Sequence, residues 1–170
     1  MLFRSGGINS DFVLRGKALP EPGETVVLDE FFQGPGGKGA NQAVAAARLG
    51  ARVAIVGCVG DDKRGEELLE NLRAEKVETR FVARAKNSRS GIALILVDES
   101  GEKSIGAWMG ANAKLSAAGV RAAKEALLNC KTLLMQFEAP DAALLEAAKI
   151  AKKAGAKIIL DPAPPRKIPK

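Results

Sequence analysis

Short apolar runs alternate with stretches of helical period along most of the chain. Val53–Val59 (VAIVGCV) is uninterrupted and rich in β-branched residues, the mark of a strand buried on both faces. Gly60-Asp61-Asp62 then turns the chain into a polar helix over about Lys63 to Lys76. Thr132–Met135 (TLLM) and Lys157–Leu160 (KIIL) predict two more buried strands. Between them, Asp141 to Ala154 places Leu144, Leu145, Ala148 and Ala151 at helical spacing, and Gly155 stops the helix. Ser116 is suited to cap a further helix running to about Asn129. Strands alternating with helices of this length predict βαβ units, hence an α/β fold with a parallel sheet flanked by helices.

Two stretches break the alternation. Thr25–Phe32 (TVVLDEFF) and Ser90–Val97 (SGIALILV) also predict strands. The second is followed by the turn signal Asp98-Glu99-Ser100-Gly101 and then by Lys103–Met109. A small antiparallel sheet beside the parallel one accounts for them, with Pro20 and Pro22-Gly23 punctuating the first excursion. Leu160 is followed by Asp161-Pro162-Ala163-Pro164-Pro165, a proline-rich loop from which a parallel sheet is expected to continue. The chain is therefore expected to be cut, with an unpaired sheet edge and exposed apolar faces.

Composition narrows the functional classes. The 170 residues suffice for one domain, and 46% hydrophobic with 27% charged residues is ordinary globular protein. Six Phe, one Trp and no Tyr leave the core to aliphatic side chains. The net charge of +6 is dispersed: Lys63, Arg64, Arg73 and Lys76 are interleaved with Glu66, Glu67, Glu70 and Glu75. With no aromatics among these charges, no nucleic-acid partner is expected. Cys58 and Cys130 lie far apart in apolar surroundings and the chain has no His, which argues against zinc and for buried thiols in a reducing compartment. No apolar run approaches membrane-spanning length, and Met1–Ser5 is too short and polar for a signal peptide. A cytoplasmic protein with no membrane partner is expected.

The strongest chemical signal is Gly34 to Gly50 (GPGGKGANQAVAAARLG), a glycine-rich loop feeding a helix of small residues that Asn41 opens. Such a loop exposes free N–H groups to a polar ligand. It is not a Walker A loop, because Lys38 is followed by Gly39, nor a dinucleotide fingerprint, because no buried strand directly precedes it. A close-packing turn remains the alternative.

GGKGANQAVAAARLGA resembles the first signature of the ribokinase-type carbohydrate kinases, the phosphofructokinase-B family. Gly7-Ile8-Asn9-Ser10-Asp11 resembles the family's G-x-[IV]-N-x-D, and Leu19 to Thr25 its P-x-P-G-E-T. Val59-Gly60-Asp61-Asp62 with Gly65 is similar to V-G-x-D-x-x-G. Gln136-Phe137-Glu138 and Asp161-Pro162-Ala163-Pro164 resemble the Q-x-E and [ND]-P-A-P of its ribose-phosphorylating branch. The matches occur in order and span the chain almost end to end.

The resemblance implies ATP-dependent phosphorylation of a pentose, D-ribose at its 5-hydroxyl, with Mg2+ at the nucleotide phosphates and K+ activation. It implies that Asn9, Asp11, Gly37, Lys38, Asn41 and Glu138 line a sugar pocket. A sugar is a ring of hydroxyls, each donor and acceptor, and those carboxylates, amides and the ammonium are the types that bond hydroxyls. Other roles stay open at each position: turn formers for Asn9 and Asp11, a helix cap for Asn41, a first-turn acid for Glu138, a solvated lysine for Lys38. The resemblance further implies a lid over the sugar, from about Phe12 to Gln33 and Arg89 to Gly110, through which two copies form a homodimer.

Two departures stand out. The family's G-A-G-D, which holds the transferred phosphate and supplies the general base, is absent, as are its nucleotide-binding elements, so this chain is expected to be the N-terminal, sugar-binding half, inactive alone. A non-catalytic sugar-binding or dimerisation module, or a family kinase for a nucleoside, fructose or keto-sugar acid, are the alternatives. The family's full apolar strand before G-x-[IV]-N is also reduced here to Met1–Ser5, which leaves the placement of Asn9 and Asp11 open.

Overall fold

The computed structural model describes residues 1–167. In chain order its elements are β1 (Leu2–Ser5), β2 (Asn9–Arg15), β3 (Glu30–Gly36), α1 (Lys38–Arg48), β4 (Val53–Gly60), α2 (Lys63–Ala74), β5 (Glu78–Ala85), β6 (Gly91–Val97), β7 (Lys103–Trp108), a 3-10 turn over Gly110–Lys114, α3 (Ala117–Arg121), α4 (Lys124–Leu128), β8 (Thr132–Met135), α5 (Asp141–Lys153) and β9 (Lys157–Leu160). They form a five-stranded sheet in the order β5-β4-β1-β8-β9 and a four-stranded sheet in the order β3-β2-β6-β7.

Every pairing in the first sheet is parallel. The period-2 alternation of β4 shows why its apolar run is continuous. Val53, Ile55 and Val59 pack with Ala40 and Ala43 of α1 and Leu68, Leu69 and Leu72 of α2. Ala54, Val56 and Cys58 face the other way, toward Leu127, Leu133, Leu144 and Ile150. The sheet thus lies between two helical layers, and both free thiols are buried, Cys58 at 2% and Cys130 at 5% exposure. At the edge, Ile158 and Ile159 of β9 remain 37% and 42% exposed.

Five sequence expectations change. Met1–Ser5 supplies a strand after all: four residues suffice for β1, because β4 and β8 flank it on both sides and complete its hydrogen bonds. The first excursion is a strand over Glu30–Gly36 rather than Thr25–Phe32, since it pairs register by register with β2, Asn9 opposite Gly36 and Arg15 opposite Glu30. The second sheet is mixed rather than antiparallel, because β2 and β6 run parallel. The helix from Ser116 breaks into α3 and α4 around Ala122-Ala123, although Ser116 caps as expected, its side chain accepting from the Gly119 N–H at 3.1 Å. In α5, Leu145 turns out to be 40% exposed while Ala147 and Ile150 face the core.

One carboxylate ties the two sheets together. Asp62 caps α2 by accepting from the Gly65 N–H at 3.0 Å, and it also accepts from the hydroxyl and N–H of Ser90, at 2.6 and 3.1 Å, at the start of β6. The Ser90 hydroxyl accepts from the Gly60 N–H at 3.0 Å. Asp62→Ala breaks both a cap and this inter-sheet tie, whereas Ser116→Ala breaks only a cap. Urea unfolding should show a loss of about 2 kcal/mol or more for the first and about 1 kcal/mol or less for the second; equal losses would show that Asp62 serves only as a cap.

Candidate functional site

Parallel strands deliver their following residues to one edge, and that is where the candidate residues gather. β1 leads into Gly6-Gly7-Ile8, β8 into Gln136-Phe137-Glu138 and β9 into Asp161. β3 ends at Gly36, and Gly37 turns the chain into α1. Gly37 adopts φ +89°, and a Cβ there would stand 2.7 Å from the Asn9 nitrogen and the Gly7 carbonyl. Only glycine fits this turn without strain. A Cβ on Gly7 would likewise stand 2.5 Å from Glu138 Oε2.

These close approaches build the central pair of the site. Lys38 Nζ donates to Glu138 Oε1 at 2.7 Å, and the Lys38 backbone N–H donates to Oε2 at 2.8 Å. Glu138 is therefore held at both oxygens, by the first residue of α1, and does not act as a first-turn acid of α5. The pair is asymmetric in exposure, 43% for the Lys38 side chain and 9% for Glu138, so the ammonium faces the open side.

Asp11, on β2, lies against Gly36 and is paired with Gly34 across the strands. Its Oδ1 is buried and has no hydrogen-bond partner among the described residues. Burial, with the Glu138 carboxylate as a smaller cause, pushes the Asp11 carboxyl up to about 6 against the opposing pull of Lys38. An ionised acceptor that lacks donors is poised for hydroxyl groups.

Asn9 is buried, and sequence reasoning missed what holds it. Asn112, 2% exposed in the 3-10 turn, donates from Nδ2 to Asn9 Oδ1 at 2.8 Å and to the Ile8 carbonyl at 3.1 Å, while its Oδ1 accepts from the Ile8 N–H at 2.9 Å. This fixes the Asn9 amide with its oxygen satisfied and its NH2 as the free donor. Gly110 entered the sequence reading only as the end of the implied lid, and Asn112 did not enter it. Asn41 lies in the first turn of α1, which starts at Lys38, so it is not the cap. It is exposed, lining a shallow cleft with Pro35, Val44, Arg48 and Asn71.

Beneath the Lys38–Glu138 pair lies a second polar group that the sequence did not announce. Arg4 is 1% exposed on the central strand. Burial lowers its guanidinium to about 10, against the pull of Asp161, so it stays protonated at neutral pH. Gln42 Nε2 donates to Asp161 Oδ2 at 2.9 Å.

The chain is thus an α/β domain in which a parallel sheet flanked by helices and a second, mixed sheet meet at two carboxylates, an amide and an ammonium. The model of the pfkB family carbohydrate kinases matches residues 5–170, and the chain belongs to that family. It is 42% identical over 165 residues to a ribokinase of Schizosaccharomyces pombe, a match covering 94% of this chain and 52% of that protein. A ribokinase structure from Thermotoga maritima superposes with a TM-score of 0.86 at 34% identity, covering 99% of this chain and 55% of that one. The Arabidopsis thaliana ribokinase, solved with ribose and ATP, superposes with a TM-score of 0.80 at 32% identity, covering 95% and 53%. The chain spans about half the length of the curated relatives it matches.

The raised Asp11 carboxyl makes a stability prediction. Its folded value of about 6 exceeds the ordinary 3.8, so ionising it disfavours the folded state. The cost is absent below pH 3.8, grows between 3.8 and 6 and is complete above 6. Asp11→Asn should stabilise the ligand-free chain at pH 7, on the order of 1 kcal/mol because the site is half open to water, and not at pH 4. Urea midpoints at the two pH values check this; a gain that is equal at both would show that ionisation of Asp11 is not the cause.

Proposed function

We propose that this chain is the sugar-binding half of a ribokinase-type kinase that phosphorylates D-ribose at its 5-hydroxyl with ATP. The observation that supports the reading best is the buried, unpartnered Oδ1 of Asp11 beside Lys38 and Glu138. Ionised Asp11 accepts from two neighbouring ribose hydroxyls. The NH2 of Asn9 and the ammonium of Lys38 donate to ring or hydroxyl oxygens, and Gly37 lets the turn into α1 pack against Gly7 and Asn9, which sets these two donors near one another. A pocket built on bonds to hydroxyls discriminates strongly against analogues that lack one.

Phosphoryl transfer needs more than these residues. No G-x-G-D occurs in the chain, so the base and the phosphate-holding backbone lie outside these residues in this reading. Among the described residues no group of three His, Cys, Asp or Glu stands together as a metal-ion cluster, and no step is assigned to a metal. ATP meets the sugar from the side that this chain leaves open. No helix among the described residues is long and apolar enough to cross a membrane.

The second sheet is the proposed lid. Phe32, Val13, Ile95 and Ile105 form one cross-strand row on the same face as Asp11, with Phe32 56% and Ile105 54% exposed. In this reading the rows of two copies meet and close the homodimer. Ile105→Glu should convert a dimer to monomer in sedimentation velocity; a wild-type chain already monomeric at high concentration removes the dimer.

Ribose binding is measured by calorimetry at several pH values, alongside ribose-dependent ATP consumption with Mg2+ and K+. The chain should bind ribose without turning over ATP. Asp11→Ala should weaken binding about 10-fold or more, the worth of charge-assisted hydrogen bonds. Affinity should fall as the pH drops through about 6, where Asp11 takes up its proton, and the dependence should vanish in Asp11→Asn. No ribose binding at pH 8 would overturn the sugar reading, and ATP turnover by the chain alone would overturn the reading as a half.

A further inference from the structure

A charged residue on the central strand of a parallel sheet requires a physical reason. Arg4 sits on β1 between Ile55 and Leu134, its partners on the flanking strands. A charge so placed gives up its hydration, and an apolar side chain of similar volume is often as stable or more so. Arg4 is nevertheless fully buried, and its Nε has no hydrogen-bond partner among the described residues. Packing alone does not explain it.

Its contacts do. Arg4 Nη2 donates to the carbonyl of Lys38 at 3.4 Å. The same nitrogen donates to the side-chain oxygen of Gln136 when that amide is oriented with its oxygen toward the guanidinium, an orientation that avoids setting NH2 against a cation and gives up the alternative bond from Gln136 Nε2 to Gln42 Oε1. In that orientation the Gln136 NH2 donates to the Ser5 carbonyl at 3.2 Å, returning the tie to β1. Gln136 lies two residues before Glu138, and Lys38 carries the other half of the pair. One guanidinium therefore touches the backbone of Lys38 and the segment that bears Glu138, from directly beneath the bond between them.

We propose that Arg4 is a positioning residue of the sugar site, a buried two-point clamp that holds the Gly37-Lys38 turn and the Gln136–Glu138 segment in register so that Lys38 and Glu138 meet. The clamp rests on the sugar-binding reading for its function, but its geometry is independent of it. Lysine keeps the charge and, since both contacts come from one nitrogen, can restore part of the clamp, but its ammonium lacks the fixed planar direction of the guanidinium N–H groups. Methionine fills the volume and removes both contacts.

The test compares wild-type, Arg4→Met and Arg4→Lys chains by urea unfolding, ribose calorimetry and hydrogen exchange at the Lys38 amide, which donates to Glu138 Oε2. Arg4→Met should unfold at an equal or higher urea midpoint yet bind ribose about 10-fold to 100-fold more weakly, as expected when binding groups are displaced by a fraction of an ångström. Arg4→Lys should fall between the two. The Lys38 amide should exchange about 10-fold faster in Arg4→Met, while the Ile55 amide in the sheet is unchanged. A folded Arg4→Met chain that binds ribose within about twofold of wild type, or that keeps its Lys38 protection, overturns the clamp. If wild type binds no ribose, the sugar reading fails and the exchange comparison alone decides the clamp. If neither variant folds, Arg4 is needed for folding and the clamp is overturned.

Discussion

The bond between Lys38 and Glu138 joins segments a hundred residues apart in the chain. Its geometry depends on the parallel sheet, which brings the ends of β1 and β8 side by side. It depends equally on two glycines without side chains, Gly7 and Gly37, which leave room for the carboxylate and for the turn into α1. The pair sets the local field as well. Asp11 feels the Glu138 carboxylate and the Lys38 ammonium with opposite sign, and burial outweighs both. The protonation state of the site thus follows from how tightly the two sheets close around it.

The two sheets divide the labour physically. The central strands of the parallel sheet, β1 and β4, are buried and packed by aliphatic residues, so the segments that leave them have little freedom. The mixed sheet is thin and half-exposed, with Phe31, Phe32, Ile105 and Trp108 all more than half open to solvent. It is attached through the β1–β2 connection, through Asp62 and Ser90, and through Asn112 against Ile8 and Asn9. Asp11 belongs to the thin sheet, and Glu138 to the segment that follows β8 of the parallel one. A hydroxyl-bearing ligand bridging the two would bind where they approach each other.

The family signatures were legible because they are dense in glycine and amide residues at fixed order, and such residues are tolerated only where backbone must come close to something. Other features were not legible. β2 hides in Asn9-Ser10-Asp11, polar residues that read as a turn, because its partners β3 and β6 come from elsewhere in the chain. β5 (ETRFVARA) is a half-exposed strand at the sheet edge whose charges mask its alternation. The start of β3 moved because register with β2, and not the local run of valines, decided which residues pair.

From its amino-acid order alone the chain determined the parallel strands of continuous apolar character, the helices between them, the thiols' burial and the family to which its motifs belong. These are local properties, written in period, propensity and backbone freedom. Only the tertiary structure decided that four N-terminal residues make a central strand, that Asn112 orients Asn9, that Asn41 lies on an exposed face of α1, and that a buried arginine stands beneath the Lys38–Glu138 pair. Each of those depends on a partner distant in sequence, and pattern within a window carries no information about which distant residue will be the neighbour.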